Sequence, residues 1–134
     1  MSDRTMIEDV LKSIETSFSK LDIASWLEHF HNPRIMVLPN TALAPSSEAE
    51  CHSLLGPYIE NLRNQGFDRS DLNECKIQFL TDTTAIVSTV WTRYASDRII
   101  ERIGATYLFL KSTDGWLVTM VTVHPDDVMV VRTE

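Results

Sequence analysis

Three side chains in the C-terminal half of the chain are best equipped for chemistry: Tyr94, Arg102 and His124. A histidine with an ordinary pKa of about 6.5 exchanges protons near neutrality and suits a general base. A guanidinium holds a carboxylate or enolate oxygen through a planar fork of donors. A phenol can stabilise an oxyanion. Each residue also has a plain structural role open to it. His124 stands before Pro125-Asp126 and would cap a strand end through backbone hydrogen bonds. Arg102 would pair with Glu101 or Asp97, and Tyr94 would pack at a rim.

The remaining histidines and cysteines offer less. His29 and His31 flank Phe30, and residues two apart on a helix point in different directions, so they form no chelating pair. Asn32-Pro33 marks a helix end there, where the dipole favours a histidine. Cys51 and Cys75 read as reduced thiols. His52, adjacent to Cys51, is badly placed to chelate with it, and no oriented triad activates that thiol. No metal is expected. No glycine-rich phosphate loop is present, so no nucleotide cofactor is expected either.

These groups must be positioned by a chain of 134 residues, enough for one domain, with its core over about 5–125 and a short tail. Apolar residues make up 43%, with 4 Gly and 5 Pro, an ordinary globular composition. Twelve basic against nineteen acidic residues give a net charge of −7, which repels nucleic-acid backbones. No apolar run approaches the ~18 residues of a membrane span, and no basic segment followed by an apolar one opens the chain. The expectation is a cytoplasmic protein with no nucleic-acid or membrane partner.

Apolar spacing predicts a helix over about 5–20, opened by a capping box of Thr5 and Glu8, and a second over about 23–30. A short strand follows at 34–38, then a loop at 39–45. A second capping box, Ser47 and Glu50, opens a helix that ends near Gly66. Gly56-Pro57 should kink or split it. From residue 71 the apolar period changes from 3.6 to 2, giving strands at 72–80, 84–95, 99–111 and 116–124 joined by short turns. Helices followed by an antiparallel meander make an α+β domain.

The order of these elements resembles a known family. Phe18-Ser-Lys-Leu-Asp22 with Trp26-Leu-Glu-His-Phe30, then Ala105-Thr106-Tyr107, Asp114-Gly115-Trp116 and a strand ending at His124, resemble nuclear transport factor 2-like (NTF2-like) domains of the SnoaL-like polyketide cyclase branch. The resemblance implies a cone-shaped roll, cystatin-like, with two or three helices packed on a curved, mainly antiparallel sheet. It implies a pocket between them and dimerisation through the outer sheet face. Ketosteroid isomerases belong to this family, and their three polar catalytic positions fall here on Ile14, Leu38 and Thr106, against that activity. The Asp-Arg-Asp cluster of the epoxide hydrolases has no counterpart beside Arg102.

Period-2 alternation sorts the strands into two faces. One carries Thr92, Tyr94, Arg102, Thr106, Met120, Thr122 and His124; the other carries Trp91, Arg93, Tyr107, Phe109, Val121 and Val123. Similarity to the family's last strand points Met120, Thr122 and His124 into the pocket. The expected ligand-binding set is then Trp26, Phe30, Met36, Leu38, Tyr58, Thr92, Tyr94, Arg102, Thr106, Met120, Thr122 and His124, with His124 as the catalytic candidate. Trp91, Tyr107, Phe109, Val121 and Val123 would form an outer apolar patch and the homodimer interface. Three functions follow: a binder of small apolar molecules, a cofactor-independent enzyme of the cyclase, isomerase or dehydratase kind with His124 as base, or a dimeric scaffold. A cavity of roughly 300 Å³ or more exposing His124 would favour the first two.

Overall fold

The computed structural model describes residues 1–132; the last two residues of the expected tail lie outside that range. Helix α1 spans Asp3–Ser19. Its cap is Ser2, whose Oγ accepts the Thr5 backbone N–H at 3.1 Å, rather than Thr5 itself. Serine is an equally good cap, and the earlier start puts Asp3 in the first turn, where a carboxylate complements the dipole. Asp3 also accepts Lys111 Nζ at 2.9 Å and Trp116 Nε1 at 3.1 Å, bonds that hold its pKa below the usual value. Ile7, Leu11, Ile14 and Phe18 recur at helical spacing and are buried.

Helix α2, Ile23–Leu27, starts at its Asp22 cap and stops earlier than expected. The chain turns at Phe30 into strand β1, Phe30–Leu38, because the His29 carbonyl accepts the Val118 N–H at 2.9 Å and Phe30 pairs with Val118. The segment read as a loop contains strand β2, Thr41–Leu43, folded back on β1. Helix α3, Glu48–Asn64, is capped by Ser47 as expected, with Ser47 Oγ accepting the Glu50 N–H at 3.1 Å. It runs through Pro57 unbroken. Proline removes only the bond to the Ser53 carbonyl, and that turn lies on the exposed side. Gly66, at φ +81°, then closes the helix, with Phe67 N–H bonded to Leu62 O at 3.0 Å.

Strands β3, Arg69–Thr81, β4, Thr84–Ala95, β5, Arg98–Ser112, and β6, Gly115–His124, form the antiparallel meander. Strand β1 joins it by pairing parallel to β6, giving a six-stranded mixed sheet in the order β2-β1-β6-β5-β4-β3. The free edge of β3 is occupied by α1: Ser19 Oγ bonds both the N–H and the C=O of Ser70, at 2.9 and 3.1 Å, and Glu15 accepts the Leu72 N–H at 2.6 Å. These bonds protect an edge that would otherwise recruit another strand.

The assignment of the two sheet faces is the reverse of the expected one. Trp91, Tyr107, Phe109 and Val121 lie in the core with Ile14 and Phe18 of α1. The outer apolar patch proposed from Trp91, Tyr107, Phe109, Val121 and Val123 therefore does not exist; those residues face inward. The more apolar face meets the helices, as burial requires. A bulge in β6, between the pairs Leu108–Met120 and Phe109–Val118, adds one residue and brings Val118 to this inner face too. The outer face is partly covered by the chain beyond β6. Val131 is buried there with its N–H on Ser88 Oγ at 2.8 Å, and Lys76 Nζ reaches the Arg132 carbonyl at 2.7 Å.

Candidate ligand pocket

Between α3 and the inner sheet face lies a cavity of about 260 Å³. Its walls are mostly apolar: Ile14 and Phe18 from α1, Trp26 from α2, Met36 and Leu38 from β1, and Trp91 from β4. Trp91 is held in place by its Nε1, which donates to Thr89 Oγ1 at 2.8 Å; that hydroxyl donates to the Ala105 carbonyl at 2.7 Å. Tyr107 is buried in the wall, and its burial raises the phenol pKa.

One end of the cavity is polar. Arg93 on β4 stands directly opposite Glu101 on β5, so their side chains meet on the inner face. Arg93 Nη1 donates to Glu101 Oε2 at 3.2 Å, and Tyr58 Oη, from α3, donates to the same oxygen at 2.5 Å. The guanidinium carbon lies 4.5 Å from the Phe18 ring centroid and 5.7 Å from that of Tyr58, cation–π contacts that help hold it in place. Burial is the main cause of a raised Tyr58 pKa, so the phenol remains a donor at neutral pH. Ser70, the cross-strand neighbour of Arg93, completes the polar lining. Both Ser70 Oγ and Arg93 Nε are buried without a partner.

The outer face holds the polar cluster that the sequence singled out. Arg102 Nε donates to Asp126 Oδ2 at 2.8 Å, and its Nη1 donates to Thr92 Oγ1 at 3.2 Å and Asn73 Oδ1 at 3.5 Å. His124 is saturated. Its Nδ1 lies 2.9 Å from the Pro125 carbonyl, which can only accept, so Nδ1 carries the proton. Nε2 is hydrogen-bonded to the Thr106 hydroxyl at 2.7 Å. The ring lies over Gly104, where an added Cβ would stand 2.5 Å from His124 Cε1.

Of the expected ligand residues, Trp26, Met36, Leu38 and Tyr58 line the cavity. Phe30 is buried behind the wall, its ring centroid 4.4 Å from that of Trp26. Thr92, Arg102, Thr106, Met120, Thr122 and His124 belong to the outer face, and Tyr94 lies under the Arg69 guanidinium, 4.2 Å from its ring centroid. None of these seven lines the cavity. Of the three isomerase positions, Ile14 and Leu38 are pocket wall and apolar, while Thr106 is outside it. Sequence reasoning missed Arg93, Glu101 and Ser70. A charged residue in the midst of an apolar strand face was the available signal for Arg93. Pairing residues outward from the 96–97 turn would have brought Glu101 close to it.

His31 lies in β1 rather than at a helix end, and burial lowers the pKa of His29. No disulfide joins Cys51 and Cys75. Among the described residues, no three His, Cys, Asp or Glu side chains are grouped to hold a metal ion, and no helix is long and apolar enough to cross a membrane.

A sheet wrapped around three helices, with a cavity between, is the architecture of NTF2-like, cystatin-like α+β proteins. Residues 3–126 match the family model described as "NTF2-like protein (DUF6841)", and the chain belongs to that family. Its fold is similar to an NTF2-like protein of unknown function from Shewanella oneidensis, at TM-score 0.72 and 16% identity, covering 91% of this chain and 98% of that one. It is also similar to an NTF2-like protein with a cystatin-like fold from Novosphingobium aromaticivorans, at TM-score 0.74 and 14% identity, covering 96% and 84%. A cystatin-like protein of unknown function from Nostoc punctiforme matches at TM-score 0.71 and 14% identity, covering 95% and 93%. At such identities these structures show the fold alone. No curated protein matches the chain.

Proposed function

We propose that this protein binds a small, largely apolar molecule in the cavity between α3 and the sheet. The observation that carries the reading is the cavity itself: about 260 Å³ of space walled by aromatic and aliphatic side chains, with a few polar groups at one end. Filling such a space with side chains would stabilise the core, since unfilled volume costs contacts. Its dimensions sit just below the range usual for ligand sites, and a few convergent polar groups in an apolar wall are typical of them. His124 takes no part in this reading, because it lies outside the cavity and both ring nitrogens are engaged.

The test is titration with tetralin, a bicyclic hydrocarbon, followed by quenching of the wall tryptophans Trp26 and Trp91 and by calorimetry. Saturable binding of one molecule per chain is expected. Val123→Phe, which projects a ring into the cavity, should weaken it at least tenfold. Binding that does not saturate, or that Val123→Phe leaves unchanged, would overturn the proposal.

A further inference from the structure

We infer that the pocket selects an uncharged ligand whose single polar feature is an oxygen that accepts hydrogen bonds, such as a ketone or lactone, and that Ser70 and Arg93 hold that oxygen. This rests on the pocket reading above and adds the ligand class.

Three observations converge. The first is the donor count at the polar end. Glu101 Oε2 takes one bond from Tyr58 and one from Arg93, which uses the only proton the phenol has. Ser70 Oγ and Arg93 Nε remain buried and unpartnered. Buried donors without partners are rare in folded proteins and destabilising. What the site lacks is therefore an acceptor.

The second is placement. Ser70 and Arg93 are direct cross-strand partners, and both line the cavity. Side chains so paired stand about 5 Å apart at Cβ, close enough for one oxygen to meet both. Ser70 is fixed by its backbone bonds to Ser19, while its hydroxyl turns freely about χ1. The guanidinium is held by Glu101 and by the Phe18 ring. Oγ and Nε are closed off in the free protein, and a turn of Ser70 about χ1 with a small shift of the Arg93 side chain opens both to a ligand oxygen.

The third is charge. Among the described residues, Arg93 and Glu101 are the only charged ones in the lining, and they neutralise each other. A carboxylate ligand would bring a second negative charge beside Glu101 in an apolar cavity, and an ammonium would do the same beside Arg93. Either adds an unpaired charge beside an apolar wall, at a cost that the partial exposure of Glu101 and Tyr58 reduces without removing. A cavity of 260 Å³, filled at protein-like density, accommodates roughly ten to thirteen non-hydrogen atoms.

The experiment compares tetralin, 1-tetralone and tetralin-2-carboxylate on the wild type and on Ser70→Ala. The ketone should bind at least tenfold tighter than the hydrocarbon, and the carboxylate more weakly than the ketone. Ser70→Ala should bring the ketone to within about threefold of the hydrocarbon while leaving hydrocarbon affinity and the melting temperature of the free protein undiminished. Loss of hydrocarbon affinity or of melting temperature would instead mark Ser70 as structural and overturn the inference. Equal binding of ketone and hydrocarbon to the wild type, a preference for the carboxylate, or unchanged ketone binding in Ser70→Ala would overturn the inference while the pocket reading stands. Saturable binding by none of the three would overturn the pocket reading, and the inference with it.

Discussion

The two faces of the sheet carry similar polar sets and use them differently. Outside, Arg102 meets Asp126, Thr92 and Asn73, and His124 meets Thr106 and Pro125, so the orientation of each group is settled within the chain. Inside, Arg93 meets Glu101 and the phenol of Tyr58 completes the group, but one guanidinium nitrogen and one hydroxyl are left over. A polar cluster that satisfies itself holds a fold together. One that falls short in an apolar cavity is ready for something else. The residue types alone do not separate these cases; the count of unmet donors does.

Replacing Arg93 should break the inner cluster most severely. Arg93→Met leaves Glu101 without its cation at the cavity wall, and urea unfolding should show a loss of about 2–3 kcal/mol, with Glu101's partial exposure keeping it at the low end for a broken buried pair. A loss below 0.5 kcal/mol would make the inner pair no more important than a surface ion pair. On the outer face the tightest place is Gly104. Gly104→Ala would set a Cβ 2.5 Å from His124 Cε1 and 2.8 Å from the Pro125 carbonyl, so unfolding should show a loss of about 2 kcal/mol, with tetralin affinity unchanged. A fall in that affinity would show the faces to be coupled.

Ser70→Ala tests the comparison with the opposite sign. It removes a buried hydroxyl that has no partner, and the free protein should gain about 1 kcal/mol, read as a rise in melting temperature. A drop would mean that the hydroxyl is satisfied in solution. The smallest effect concerns acid. Burial lowers the pKa of His29 below its ordinary 6.5, so the unfolded chain takes up the proton first. The stability His29 contributes is complete above pH 6.5 and is lost as pH falls through the lowered value. Urea midpoints at pH 7.5 and 5.5 should therefore converge in His29→Asn; an unchanged difference would assign the acid response to other groups.

Much of the fold is legible in the chain. The strands of the meander, the Ser47 cap and the Gly66 terminus follow from local chemistry, and the structure moves their ends by only a few residues. Strand β2 and the parallel pairing of β1 with β6 were not legible, because long-range contacts decide them. The site was half legible. Trp26 and Tyr58 sit on helices with an apolar stripe, while Met36 and Leu38 lie in an unbroken apolar run whose direction only the family resemblance supplied. The sheet residues depended on which face is inside, and alternation has no sign. The apolar content of the Trp91 face is the better guide to the inside, since burial favours it. The bulge in β6, which turns Val118 inward, breaks the parity that any sequence count assumes.

The pairing of β1 with β6 also sets a schedule. Met36 lies beside Val121, so two walls of one cavity come from segments far apart along the chain, and the loop between them must be organised before they meet. During synthesis the cavity cannot close until β6 has been made, whatever the helices and β1 have already done. Until then, the apolar faces that will enclose it have only each other and water to meet. A fragment ending before β6 would retain residues that line the pocket and have no pocket.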